Sequence, residues 1–191
     1  MHETTKSTPR RLRDVSYVRW LAGNGLDVGA GDDPLSRWRP LFPLMGDCRS
    51  WDKPDGDAQT LPGIAADSLD FLHSSHCLEH LPQPKEALRR WCEVVRPGGH
   101  VIVVVPDFEL YEKRRWTSQF NGDHRHNFSI YDPEPANADA INILDLIVSL
   151  SDIAIPLKIE LLAGTHLPDE QGDQTLNCVS ECAIEFVLRR R

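Results

Sequence analysis

The sequence predicts an α/β fold, a mostly parallel sheet closed by a C-terminal antiparallel strand, on three observations. "HVIVVVP" (100–106) is apolar throughout, as in a strand buried on both faces of a parallel sheet. The amphipathic helix "PKEALRRWCEVV" precedes it and itself follows a strand in "LDFLH", and strand, helix, strand is the βαβ unit. Near the end, "LKIELLAG" and "CAIEFVLRR" alternate well enough to be the closing strands.

The elements follow in order. "STPRRLRDVSYVRWLAG" predicts one amphipathic helix within residues 1–23. Thr8 caps it, Pro9 takes its first position, Leu12, Val15, Val18 and Leu21 recur every three residues, and Gly23 stops it. "GLDVGAG" is a short strand entering a glycine turn. Pro40 and Pro43 confine the next helix to about one turn over "PLSRWR". From Met45 to Pro62 the chain is polar and turn-rich, with a weak strand at "CRSWD". Leu69 to His73 form a strand. The helix from Pro84 buries Ala87, Leu88, Trp91, Val94 and Val95 and ends at Gly98 and Gly99. Residues 107–135 are polar and aromatic, and too long for an ordinary connection, so they are expected to be either functional, contributing to an acceptor site, or mobile. "ANADAINILDLIVSLSD" predicts a helix. The whole forms one domain, 1–191.

Composition excludes several classes. The chain carries 21 basic and 29 acidic residues, a net charge of -8, which argues against a nucleic-acid backbone as partner. The clusters "RRLR" and "LRRR" read as solvated charge. With no 18-residue apolar run and no apolar leader, no membrane span is expected and a cytoplasmic location is. The 5 cysteines lack a Cys-x-x-Cys pair and read as reduced, mostly buried thiols.

"DVGAGDDP" (27–34) is the motif with the most chemistry. A dinucleotide turn would have a third glycine where Pro34 stands, and its pyrophosphate would meet Asp32 and Asp33. No Gly-Lys-Ser/Thr follows, so the phosphate loop of nucleotidases is excluded. A ligand with a cationic centre resolves the conflict. S-adenosylmethionine has a sulfonium, an ammonium and one carboxylate, so backbone N–H groups can take the carboxylate while acids face the cations. Asp52 offers two acceptor oxygens to a ribose diol, and Asp57 with the Ala58 N–H can meet an adenine edge. Asp33 either faces the ammonium or caps the short helix that Pro34 begins.

"LDVGAG", "GDAQTLP" and "DSLDFLHSSHCLEHLPQPKEALRRWCEVVRPGGHVIVVVP" together resemble the Rossmann-like S-adenosylmethionine-dependent methyltransferases, especially the methyltransferase type 11 group, over Leu26 to Pro106. The resemblance implies a three-layer sheet with that cofactor on Asp27, Gly29, Ala30 and Gly31. It places Asp52 on the ribose, Asp57 and Ala58 on the adenine, and Ser74, Ser75 and His76 along the methionyl and sulfonium region. Glu79 and His80 follow, Glu79 as a tie for its segment and His80 toward the acceptor. The family's usual second helix and third strand are compressed into "KPDG", which leaves one sheet edge reduced and open to a second copy of the chain.

Acceptor chemistry falls to "NGDHRHNF". His124 and His126 face the same way if this stretch is extended, and either they supply a base or substrate contact, with Asp123 as orienter, or they are structural histidines of a polar insert. Tyr111 and Trp116 are expected as apolar walls. No second pair of ligands completes a metal site with His-x-His, so no metal is expected. The expected activity is methyl transfer to a small-molecule or glycan-like acceptor. A chain that binds the cofactor without turnover and serves as a partner or regulator is the alternative, and a nicotinamide oxidoreductase is disfavoured by the acidic turn.

Overall fold

The computed structural model describes residues 2–132 and 139–191. One six-stranded sheet organises them in the order β2-β1-β3-β4-β8-β7. The strands are β1 (Gly23–Val28), β2 (Met45–Trp51), β3 (Leu69–Ser75), β4 (Val95–Pro106), β7 (Ala154–Leu162) and β8 (Ala183–Arg190). β1, β2, β3 and β4 are parallel, and β8 runs antiparallel to both β4 and β7. A second, two-stranded parallel sheet, β5 (Asn127–Ser129) with β6 (Ala140–Asn142), is tied to the end of β4 by a bridge between Asp107 and Phe128.

Alternation along the strands builds two faces. Leu26, Val28, Leu72, Val101, Val103, Val105, Ile184, Phe186 and Leu188 pack under α3 (Pro84–Val94) and α4 (Ile143–Val148), with Trp91 and Leu146 filling between. The intervening Phe71, Ile102 and Val187 pack against Tyr17, Leu21, Leu35 and Phe42. Tyr17 belongs to α2 (Ser16–Trp20), and a 3-10 helix, Leu35–Leu41, carries Leu35. The expected three layers, poor helix and reduced edge at β2 are thus observed. Among the described residues no helix is long and apolar enough to cross a membrane.

The N-terminus departs from the expected single helix. α1 (Glu3–Arg11) starts earlier, and Thr8 and Pro9 lie inside it, with the Thr8 hydroxyl donating to the Thr4 carbonyl at 2.8 Å. Of the expected apolar stripe Leu12 and Val15 are exposed, Val18 is half-buried and Leu21 fully buried, while Glu3, Thr4, Lys6, Ser7, Thr8 and Arg11 of α1 are buried. A polar helix face stays buried because each group finds a partner. Lys6 Nζ meets Glu3 Oε1 at 2.7 Å and donates to the Thr175 carbonyl at 3.0 Å. Arg11 Nη2 donates to Glu185 Oε2 at 2.7 Å and Arg10 Nη1 to Glu185 Oε1 at 2.7 Å, and the Tyr17 hydroxyl donates to Glu185 as well. Arg10 and Arg11 of "RRLR" are therefore not solvated charge but the cationic half of a buried network, whereas Arg13 is exposed as expected.

Smaller corrections follow from packing. β2 is a full strand that buries Met45, Cys48 and Trp51, a spacing of three that period-2 reading misses. β3 extends to Ser75. Gly98 and Gly99 do not end a helix: α3 stops at Val94, and Gly99 lets β4 approach β3, since a Cβ there would stand 2.4 Å from the Asp70 carbonyl oxygen. The helix expected over "ANADAINILDLIVSLSD" is reduced to α4 after β6, and its first residues, 136–138, lie outside the described ones, as do 133–135 of the long insert. All 5 cysteines are free, and Cys178 is exposed.

Candidate functional site

The carboxyl ends of β1, β2, β3 and β4 meet at one edge of the sheet, where parallel α/β folds bind ligands. Two cavities open there. The larger, about 970 Å³, is lined by Asp52, Asp57, Ala58, Cys77, His80 and His124 among others. The smaller, about 240 Å³, is lined by Glu3, Thr4, Asp27, Ala30, Gly31, Asp32, Asp33 and Ser75. Gly29 and His76 line both and therefore mark their junction.

The glycine turn is built by its neighbours. Gly29 has φ +76°, and a Cβ there would lie 2.6 Å from Cys77 Cβ. Gly31 has φ +51° and open space beside it. Both are left-handed positions that suit glycine. Asp27 is buried below the turn. Its Oδ2 accepts from the Leu35 N–H at 2.7 Å and its Oδ1 meets His73 Nδ1 at 2.6 Å. Arg11 Nη1 donates to His73 Nε2 at 3.0 Å, so the His73 proton sits on Nδ1 and is given to Asp27. Asp27 is thus the inner end of the Glu185 network and shapes the turn from beneath.

Asp33 holds a different partner from either one expected of it. Its Oδ2 accepts from the Thr5 N–H at 2.7 Å and its Oδ1 from the Thr5 hydroxyl at 2.6 Å, which ties α1 over the smaller cavity. Hydrogen bonds to a charged acceptor contribute about 1.5–3 kcal/mol. Asp33→Ala is expected to speed amide exchange over Glu3–Arg11 several-fold while the melting temperature barely moves, because Arg10 and Arg11 still anchor that helix. Unchanged exchange would show that Asp33 does not hold it.

Asp52 ends β2 and caps the following turn. It accepts from the Gly31 N–H at 2.8 Å and the Lys53 N–H at 3.1 Å, and its own N–H donates to Asp55 Oδ2 at 2.9 Å. Asp57 accepts from the Gln59 N–H at 2.9 Å and the Thr60 hydroxyl at 3.1 Å. The Ala58 carbonyl accepts from buried Trp91 Nε1 at 2.8 Å, so the core helix α3 positions this loop. Ser75 and His76 reach the cavities. Ser74 does not line them: it is fully buried and its hydroxyl donates to the Val28 carbonyl at 2.9 Å. Burial pushes the His76 imidazole down to about 3, so this ring is neutral at the junction. Burial likewise pushes the Cys77 thiol up to about 12, which removes it as a thiolate nucleophile near neutral pH.

The far wall of the larger cavity comes from the 3-10 turn Leu78–His80 and from the insert. His124 and Asp123 line it, but His126 does not, so the two histidines do not share a wall. The chain curls at Asn121–His126 because the Arg125 and His126 N–H groups both donate to the Glu79 carbonyl, at 2.9 and 3.2 Å. The orienter of His124 is Glu112, whose Oε1 lies 2.8 Å from His124 Nδ1. Asp123 instead offers its backbone carbonyl to His80 Nδ1 at 3.1 Å. Tyr111 stands behind the wall, its ring 5.6 Å from that of His124, and Trp116 is outside both cavities. Glu112 had no sequence signal, since its partner lies twelve residues away in an aperiodic insert. Glu79 is fully buried, and neither of its carboxylate oxygens has a hydrogen-bond partner.

A glycine turn after the first strand, an acid closing the second, and cavities at the carboxyl edge of a parallel sheet define a nucleotide-cofactor enzyme of the Rossmann-like class. Residues 11–134 match the family model of a methyltransferase domain. The chain belongs to this family and is an S-adenosylmethionine-dependent methyltransferase. Its fold is similar to that of an S-adenosylmethionine-dependent methyltransferase from Mesorhizobium loti (TM-score 0.56, 14% identity, 97% of this chain and 98% of that one). It is also similar to a protein assigned to the same class from Listeria monocytogenes (TM-score 0.60, 10% identity, 98% of each chain). The [4+2]-cyclase SpnF shares the fold too (TM-score 0.52, 16% identity, 94% of this chain and 79% of that one). No curated protein matches the sequence. At these identities the structural likeness speaks for the fold alone.

The donor set suits the cofactor. The smaller cavity offers Asp32 beside the turn to an ammonium, its other acids Glu3, Asp27 and Asp33 being held by Lys6, His73 and Thr5. The larger one begins with Asp52, Asp57 and Ala58, acceptors and a backbone edge fit for an adenosine.

Proposed function

We propose that the chain methylates a small-molecule or glycan-like acceptor held in the larger cavity beyond His76. The observation that carries this reading is the shared boundary: Gly29 and His76 line both cavities, so one ligand spanning the junction presents its middle to the space in front of His80 and His124. S-adenosylmethionine supplies an activated methyl group on sulfur. The chain's part is positioning and exclusion of water, which contribute up to about 7–11 kcal/mol in favourable cases. α1, held by Asp33, closes one side. Gly29 and Gly31 bring the backbone close, Asp52 and Asp57 stand where hydroxyl and amino donors would arrive, and the neutral His76 ring borders the transfer point without adding a charge.

Binding tests this directly. A site ligand at 100 times its dissociation constant stabilises the fold by about 2.7 kcal/mol. S-adenosylhomocysteine is expected to raise the melting temperature accordingly, with NAD inert. A clear response to NAD and none to S-adenosylhomocysteine would overturn the reading. Release of S-adenosylhomocysteine with a panel of hydroxyl- and amine-bearing metabolites and glycans then identifies the acceptor.

A further inference from the structure

We infer that Glu79, His80 and His124 form a binding site for a divalent transition-metal cation of the zinc class, with an open position toward the larger cavity. Glu79 Oε1 lies 3.9 Å from His80 Nε2 and 3.9 Å from His124 Nε2, and the three ligand atoms all lie within 4.8 Å of one another. Metal–nitrogen and metal–oxygen bonds of about 2.1 Å place tetrahedral ligands about 3.4 Å apart, so the closer pairs need draw in by only about half an ångström.

Three independent features point to a cation between these groups. Each histidine has its other nitrogen already engaged, His80 Nδ1 by the Asp123 carbonyl and His124 Nδ1 by the Glu112 carboxylate. Acceptors at Nδ1 put the protons there and turn both Nε2 lone pairs toward Glu79. Metal-bound imidazoles are held in this way, the nitrogen away from the metal donating to an acceptor, here one carboxylate and one backbone carbonyl. Next, Glu79 is fully buried with both oxygens unpartnered. An acceptor carboxylate facing two acceptor nitrogens with no donor between them is costly unless a cation fills the space. Finally, His80 and His124 line the larger cavity, whereas Glu79 closes the site from behind. Three protein ligands and one open position are the arrangement of reactive metal sites, and two imidazoles with one carboxylate suit zinc, cobalt, manganese or iron more than calcium.

The consequence for chemistry rests on the reading of that cavity as the acceptor site. A hydroxyl at the open position would have its acidity raised by the cation, its proton leaving to water while the oxygen keeps the electron pair that attacks the methyl carbon, as the carbon–sulfur bond breaks and its pair returns to sulfur to leave S-adenosylhomocysteine. The acceptor class is then a hydroxyl-bearing molecule.

The competing arrangement is an imidazolium at His124 shared between Glu79 and Glu112 with no metal. Full-length protein loaded with zinc sulfate, desalted and assayed for metal separates the two. About one zinc per chain is expected, lost in His80→Ala and in His124→Ala and retained in His126→Ala and in Cys178→Ser, which removes the exposed thiol. Glu112→Gln is expected to weaken zinc about 10- to 100-fold without abolishing it. Since a ligand variant can fail to fold, cobalt is added to the unaltered protein as well: visible absorption without a sulfur-to-cobalt charge-transfer band is expected. Substoichiometric zinc in the unaltered protein, zinc lost only with Cys178→Ser, or a thiolate band with cobalt would overturn the inference. The same samples are titrated with S-adenosylhomocysteine. Binding of that ligand without zinc refutes the metal site alone, and zinc without that ligand refutes the cofactor reading alone.

Discussion

Glu185→Ala is expected to lower folding stability by about 3–5 kcal/mol, the cost of removing one partner from a buried ion pair. Glu185 and Arg11 are both fully buried, joined at 2.7 and 3.0 Å, with Arg10 at 2.7 Å on the other oxygen. Alanine leaves the Arg11 guanidinium in the interior with His73 Nε2 and the Tyr17 ring beside it but no carboxylate in contact among the described residues. Typical domains hold about 5–15 kcal/mol in all, so the variant would sit near the edge of unfolding at 37 °C. Urea denaturation measures the difference, and a loss below about 1 kcal/mol would show the network to be dispensable. The solvent-facing pair Arg89 and Asp152, at 2.8 Å, is the control whose disruption leaves the curve in place.

The same carboxylate sets an acid limit. Burial alone would push it up, but the charges of Arg11 and Arg10 and the hydrogen bonds from Arg10 and Tyr17 outweigh burial and hold it well below the carboxylate range. A group depressed on folding contributes its stability above its unfolded value of about 4.3 and surrenders it as the pH falls from there toward the folded value. Its share of the stability is therefore expected to be level from about pH 7 to 5 and to fall below about pH 4.3. Glu185→Gln should flatten that acid limb.

Gly29→Ala is expected to weaken S-adenosylhomocysteine at least about tenfold, or 1.4 kcal/mol. The new Cβ would stand 2.6 Å from Cys77 Cβ and 2.9 Å from its Sγ. No side-chain rotation moves a Cβ, so the turn itself must shift at the junction of the two cavities. Left-handed backbone adds about 1–2 kcal/mol of strain for any residue but glycine. Cys77→Gly in the same chain removes the collision and leaves the strain. The double variant should recover affinity while keeping a stability loss of about 1–2 kcal/mol. Calorimetry with S-adenosylhomocysteine decides it, and affinity within twofold of the unaltered protein in Gly29→Ala alone would contradict the tight approach.

Local signals located the residues around the glycine turn better than those of the long insert. Gly29, Gly31, Asp52 and His76 each follow the end of a strand by one to three residues, so locating the strands located them, and Asp57 lies six beyond β2, past the turn Lys53–Asp55. His124 and His126 stand in an insert whose path depends on two N–H groups finding the Glu79 carbonyl, a contact that no periodicity announces. Extended backbone was the wrong premise for that pair, and the orienter passed from Asp123 to Glu112. At the N-terminus the apolar spacing of Leu12 and Val15 misled because α1 buries its polar side, where ion pairs outweigh apolar pattern.

Residue order determined the class of fold and the run of parallel strands with one reversed at the end, because burial on two faces is a local property. Only the tertiary structure decided what the carboxylates hold. Asp27 answers to His73 and Leu35, Asp33 to Thr5, and Glu185 to Arg10 and Arg11, partners 8 to 175 positions apart. A charge is assigned by whichever donor the fold brings within about 3 Å, and that distance is set in space, not along the chain.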